Sequence, residues 1–269
     1  MIEEIISVFD NDHYTNIAIK ERNNFQTNLP FKHAVIDNFL PLKMARIIGD
    51  SYPKANTKKT GWKLHNNKNN IRHILDNTTH FNAELKALSA ALCSRNFLLF
   101  LETLSGINSL QADPYFMGGG AMATGRNGFL NHHVDYNYNQ KIQAWRQLNF
   151  LLYLTENWEQ EWEGKLQLLS NDRKKVEREI EPLFNRAVIF VTTNTSFHGQ
   201  PTPLNCPETI FRNVFSAFYY TNKRPKDSYD YAHYTFYNNT ESPEKTKMET
   251  SPYAELITED YLRKKSNKI

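Results

Sequence analysis

From Gly118 to Tyr220 the chain is a succession of short β-branched and aromatic runs with no helical stretch between them. Runs at 129–135, 147–154, 165–169, 186–192 and 212–220 have the length of strands and are parted by turns and longer loops. A parallel sheet needs long crossovers, commonly helices, so consecutive strands without them predict an antiparallel sandwich or barrel. The charged stretch from Asn171 to Glu181 fits a solvated hairpin excursion between two of these strands.

The residues before the strands read differently. A short apolar run, His33 to Asp37, leads into Phe39-Leu40-Pro41, and Met44, Ile47 and Ile48 then share one face of a helix from Leu42 to Ser51. Glu84 to Leu92 and Phe97 to Leu104 predict two more helices, the second stopped by Gly106. After the first helix, Lys54 to Gly61 is polar, basic and aperiodic. Lys54, Lys58, Lys59 and neighbouring Trp62 are read as a solvated loop rather than as a cover for a site. A polar, Tyr-rich tail follows Arg224, with a helix expected from Tyr253 to Arg263. There is no internal repeat and no linker. The expected organisation is one domain over 1–269, with a helical and mixed support region (1–110), a β core (118–224) and a C-terminal extension (225–269).

Composition narrows the classes of function. With 32 basic and 29 acidic side chains the net charge is only +3, a weak field for holding nucleic acid. Cys93 and Cys206 are far apart and lack the spacing of a zinc site, which suits reduced thiols. The first residues carry no basic, then apolar, leader pattern. No apolar run approaches the roughly 20 residues of a membrane span. The expectation is a cytoplasmic protein with neither a membrane nor a nucleic-acid partner, and its oligomeric state stays open.

Against that background a few residues carry chemistry. In a strand, positions i and i+2 share a face, so His133 and Asp135 converge while His132 points away. One imidazole and one carboxylate supply two cis positions of a metal, and a third ligand from elsewhere completes a facial triad with open sites. His198 is the best-placed third ligand, since it follows the apolar strand Ala187–Val191 and precedes Gly199. Arg212 opens the last strand with Val214 and Ser216 on its face, and it is the only basic residue between His198 and Lys223. No acidic residue accompanies it there. A buried guanidinium needs an anion, and a dicarboxylate chelating the metal would bring one. Tyr153 can give its hydroxyl to the same carboxylate.

Taken in order, these segments resemble the prolyl 4-hydroxylase-like branch of the 2-oxoglutarate/Fe(II) dioxygenases, over much of the chain. Pro30 to Pro41, Gly118-Gly-Gly, Gly128-Phe129-Leu130, His133-Val-Asp135, Tyr153-Leu154-Thr155 with Trp158, Gly164-Lys-Leu, His198-Gly199 and Arg212 carry the likeness. The resemblance implies an α+β chain whose core is a double-stranded β-helix, the jelly roll of cupin-like proteins, with the N-terminal helices packed on it. It implies Fe(II) on His133, Asp135 and His198, and 2-oxoglutarate held at its distal carboxylate by Arg212 and Tyr153, with Ser216 close by. O2 is the second co-substrate and ascorbate an optional auxiliary. The implied reaction is hydroxylation of an unactivated C–H in a peptide residue of prolyl type, or in a free amino acid or small metabolite. Related halogenases lack the carboxylate that Asp135 supplies.

The chain departs from the family pattern in places. Arg212 lies fourteen positions beyond His198, with Pro201, Pro203 and Pro207 between. Ala123 stands where some members carry Tyr, and the paired glycines are reduced to Asn127-Gly128 and Glu163-Gly164. Three other readings use similar residues. An AlkB-like nucleic-acid demethylase would carry a second Arg in the interval Gly199 to Phe211, which has none. A non-catalytic metal-binding β-barrel would be expected to have lost some of the site positions. A cupin-like zinc or nickel site would use the same donors.

Overall fold

The helices of the first part begin and end where the side chains dictate. In a computed structural model of the protein, which describes residues 1–55, 61–238 and 243–248, α1 (Ile2–Ile6) and α2 (Asp12–Thr27) come first. Asn11 caps α2 by accepting the amide of His13. Next come β1 (His33–Ile36), α3 (Leu42–Asp50) and a hairpin of β2 (Lys63–Asn67) and β3 (Asn70–Leu75). Asn82 and Ser94 cap α4 (Ala83–Leu92) and α5 (Arg95–Ser105) in the same manner. α5 stops at Gly106 in the left-handed region (φ 72°), as the sequence predicts. The helix expected at Tyr253–Arg263 lies outside the described residues, as do Lys58 and Lys59. Trp62 sits partly buried against the core, 6.4 Å from the ring of Tyr52.

The remaining strands are β4 (Gln111–Ala112), β5 (Gly120–Thr124), β6 (Phe129–Val134), β7 (Tyr138–Asn139), β8 (Ala144–Tyr153), β9 (Leu166–Leu169) and β10 (Val176–Ile180). They end with β11 (Ala187–Val191), β12 (His198–Gln200), β13 (Arg212–Thr221) and β14 (Phe236–Tyr237). Their hydrogen-bonded order is β1-β11-β8-β13-β5-β3-β6-β12-β9-β10, antiparallel throughout. The path folds over at β3, which pairs with β5 through His73–Leu75 and with β6 through Asn70–Ile71. On one side stand β5, β13, β8 and β11, and on the other β6, β12, β9 and β10. The chain passes repeatedly from one side to the other, which makes the expected double-stranded β-helix. The charged stretch 171–181 is more ordered than an excursion, since Val176–Ile180 pairs with β9 as the outer strand of a hairpin.

Each side of the β8–β13 layer has its own environment. Outward, Phe150 meets Phe97 of α5 at 5.3 Å and Phe39 at 5.4 Å between ring centroids. Phe97, Leu101 and Leu104 on α5 are completely buried, and each such side chain contributes about 1.5–3 kcal/mol of burial. The helices therefore form a lid of hydrocarbon over the outer face, while the inner face is left to line a cavity. Tyr52, just after α3, ties the layer together. Its buried hydroxyl donates to the carbonyl of Val214 (2.8 Å) and accepts from the amide of Met122 (3.0 Å), a cross-strand pair of β13 and β5. Among the described residues no single helix is long and apolar enough to cross a membrane.

Candidate active site

β6 ends with His133-Val134, and Asp135 is the next residue. His198 opens β12 directly opposite His133 in the antiparallel register, which sets the two imidazole centroids 4.4 Å apart. The sequence places His198 at the end of the Ala187–Val191 strand. The structure corrects this: residues 192–197 carry the chain to the other sheet, and His198 begins a strand of its own. β12 comes this close to β6 because Gly199 follows. A Cβ there would lie 2.8 Å from the carbonyl oxygen of Leu130.

The Nε2 atoms of His133 and His198 lie 3.4 Å from Oδ1 and 3.4 Å from Oδ2 of Asp135. One donor atom from each residue falls within 4.8 Å of the other two, so the cluster can hold one metal ion. Nδ1 of His133 is 2.8 Å from the carbonyl of Asn131, and Nδ1 of His198 is 2.9 Å from that of Ser196. A carbonyl oxygen only accepts, so each Nδ1 carries the proton and each Nε2 presents its lone pair. Burial, with His133 alongside, pushes the His198 imidazole down to about 3, so it stays neutral and ready to donate. His132 faces outward as expected and pairs with Gln167 at 2.9 Å.

Asp135 is held by two residues that the sequence does not single out. Asn149 donates to its Oδ2 at 2.7 Å and Arg146 at 3.0 Å. Arg146 also donates to Asn149 Oδ1 (2.8 Å), and its guanidinium lies between the rings of Phe218 (3.4 Å) and Tyr136 (4.7 Å). Burial alone would raise the Asp135 carboxyl, but Arg146 and the two histidines bring it well below the usual carboxylate range. Strict alternation would put Arg146 on the opposite face from Asn149 and Leu151. The β8–β13 register slips instead, with Tyr219 opposite Leu148 but Tyr220 opposite Arg146. Gln147 is thus an extra residue, and this bulge turns Arg146 into the cavity that Asn149 and Leu151 also line.

Arg212, Val214 and Ser216 line the same cavity from β13, on one face as the alternation predicts. The Arg212 guanidinium is buried and forms no ion pair with any described residue. Its Nη2 is 3.4 Å from the Tyr153 hydroxyl and its centre lies 5.1 Å from that ring, while its Nε and the Ser216 hydroxyl have no partner among the described residues. Gly164, at φ 91°, leaves room for this side chain, since a Cβ would stand 3.1 Å from Arg212 Cδ. Orphaned buried donors at one end of a cavity and three clustered metal donors in its wall fit a chelating dicarboxylate. Arg72 on β3 also lines the cavity, and its Nε likewise has no partner among the described residues. The sequence gives no hint of Arg72, because its hairpin lacks a buried-and-exposed alternation.

Comparison with known proteins bears on this geometry. Residues 119–220 match the model of the 2OG-Fe(II) oxygenase superfamily. Curated proteins give no match. Among solved structures, a prolyl 4-hydroxylase from Phytophthora capsici is 17% identical, with 86% of this chain and 68% of that one covered and a TM-score of 0.51. A Pseudomonas putida prolyl-4-hydroxylase is 16% identical over 77% of this chain and 100% of its own, at a TM-score of 0.49. A Trichoplax adhaerens prolyl hydroxylase, solved with a hypoxia inducible factor peptide fragment, is 18% identical over 78% and 90%, at 0.49. The matched family model over residues 119–220, the jelly-roll strand order and the His–Asp–His cluster agree, and together they liken this region to the 2OG-Fe(II) oxygenase superfamily, dioxygenases that work with Fe(II), 2-oxoglutarate and O2.

Proposed function

We propose that the protein is a hydroxylase of prolyl type, with Fe(II) held by His133, Asp135 and His198. The observation that carries this reading is the joint one. Three metal donors and an uncompensated, buried Arg212 line a single cavity. When bound, the iron, 2-oxoglutarate and O2 supply the oxidation, by which the co-substrate becomes succinate and CO2 and a substrate C–H becomes C–OH. The chain's own part is to hold and orient. His133 and His198 present Nε2 with the ring fixed from behind, and Asp135 is kept ionised by Arg146 and Asn149. Arg212, Tyr153 and Ser216 receive the distal carboxylate of 2-oxoglutarate, with the guanidinium as the charged partner. The inner-face residues Leu151, Leu166 and Val214 keep bulk water from the reacting centre. The prolyl assignment is supported by the fold shared with the Phytophthora capsici enzyme and by the ordered sequence motifs.

The test is 2-oxoglutarate turnover. Iron-loaded protein should form succinate from 2-oxoglutarate and O2, and prolyl peptides should stimulate it. The His133→Ala and His198→Ala variants should each lose tight Fe(II) binding and turnover, because too few protein donors remain. A His198→Ala protein that binds iron and turns over normally would overthrow the triad.

A further inference from the structure

Arg72 is a cation that the proposed chemistry leaves unused. It projects from β3 into the cavity lined by His133, Asp135 and His198, and it also forms part of the wall of an adjoining outer groove of about 310 Å³. Its only partner among the described residues is a weak one, the Met122 sulfur at 3.6 Å, and its buried Nε has none. The groups whose fields reach it are Tyr237, Asp135 and Arg212. Tyr237 is fixed beside it by β14, with its hydroxyl accepting from Asn70 at 3.2 Å and its ring 5.7 Å from that of His133.

The charges decide what this means. Three guanidiniums, Arg72, Arg146 and Arg212, line the cavity against one carboxylate, Asp135, which is paired with Arg146. An iron dication and a 2-oxoglutarate dianion cancel each other. Loading the site therefore leaves the positive excess of the cavity in place, and Arg212 can satisfy only one carboxylate. Retaining a half-buried, unpaired guanidinium beside a metal is unfavourable unless an anion arrives with the next ligand. Arg72 can be reached from the outer groove, so a ligand seated there would meet its guanidinium.

We propose that Arg72 is a specificity-determining residue that receives a carboxylate of the substrate. Resting on the hydroxylase reading above, this narrows the substrate class to molecules whose oxidised carbon lies near a carboxylate. A free amino acid and the C-terminal residue of a peptide share that chemistry. The fork of Arg72 makes the charged contact, and Tyr237 stands next to it as a second donor.

The experiment uses the full chain loaded with Ni(II) and 2-oxoglutarate, to which matched probes are titrated: L-proline against prolinamide, and a short prolyl peptide with a free or an amidated C-terminus. Binding of the carboxylate member should be at least about tenfold tighter in one pair. Arg72→Gln should abolish the preference, and Arg72→Lys should restore part of it. The pair that discriminates tells a free amino acid from a peptide. Equal binding of both members in each pair, or binding of neither, overturns the proposal. So does an Arg72→Gln protein that loses 2-oxoglutarate affinity as much as probe affinity, since Arg72 would then belong to the co-substrate site. Succinate release by the iron-loaded wild type without any probe is read in parallel. If it occurs, the enzyme class stands even where the Arg72 proposal falls, and if it is absent the hydroxylase reading itself has failed.

Discussion

At the scale of single residues, Arg212 and Arg146 make opposite demands on the site. Arg212 has no ion pair with a described residue, whereas Arg146 is paired with Asp135 through its Nη2. Losing one member of a buried charged pair costs about 3–5 kcal/mol. Arg212→Ala should therefore raise the 2-oxoglutarate dissociation constant by about two orders of magnitude or more. Arg212→Lys should recover only part of this, because a point charge cannot make a planar two-pronged contact. Titration of the co-substrate into metal-loaded variants reads the effect, and unchanged affinity in Arg212→Ala would move the carboxylate site elsewhere. Arg146→Gln should act on the metal instead. Without its guanidinium, Asp135 keeps only Asn149, and Fe(II) should bind about 10–100-fold more weakly, as measured against a competing chelator. Iron affinity equal to that of the wild type would show that Asn149 alone positions the carboxylate. Arg212 was legible in the sequence because an isolated cation in an apolar strand has no bland explanation. Arg146 was not, because only the bulge at Gln147 brings it to the inner face, and a one-residue slip leaves no mark in local composition.

Among the elements, helices α3 to α5 each bury one face and could be read from their period. β8, β11 and β13 are buried on nearly every residue and were read from length and β-branched or aromatic content instead, while β5, rich in Gly and Ala, was missed. β2 has every residue exposed, so it offers no alternation to detect. α2 buries only Tyr14, Ala18 and Phe25 among sixteen residues, too thin a stripe against its many polar side chains. β12 has three residues, fewer than any periodic signal needs, although it carries a proposed ligand. Connections between elements can be as decisive as the elements. Tyr52→Phe should leave the Met122 amide and the Val214 carbonyl unpaired in the interior, at a cost of about 1–3 kcal/mol. Denaturant unfolding would measure this, and an unchanged midpoint would mean that the β5–β13 pair does not depend on the hydroxyl.

For the molecule as a whole, buried histidines tie stability to acidity. His33 and His233 are 2% and 1% exposed, and burial holds both below the ordinary value of 6.5. Below about pH 6.5 the unfolded chain takes up protons that the fold refuses, so stability present above that pH is lost as the pH falls toward the folded values. The slope is up to about 1.4 kcal/mol per pH unit for each such histidine. The melting temperature of the metal-free protein should drop between pH 7 and pH 5, and His33→Gln should flatten that drop, whereas an identical slope in the variant would exclude His33 as a source. The return of the chain after the barrel has a different consequence. β14 crosses back to pair with β6, setting Phe236 in a cluster with Val134, Leu169 and Phe197 and standing Tyr237 beside His133. The family pattern ends at residue 220, before this return. A shortened gene stopping at Thr221 would keep the strands of the jelly roll and all proposed iron ligands, yet strip the neighbour of Arg72 from the mouth of the pocket. The return strand thus sets one tail residue against both the proposed iron site and Arg72, so the pocket depends on chain that lies beyond the β core.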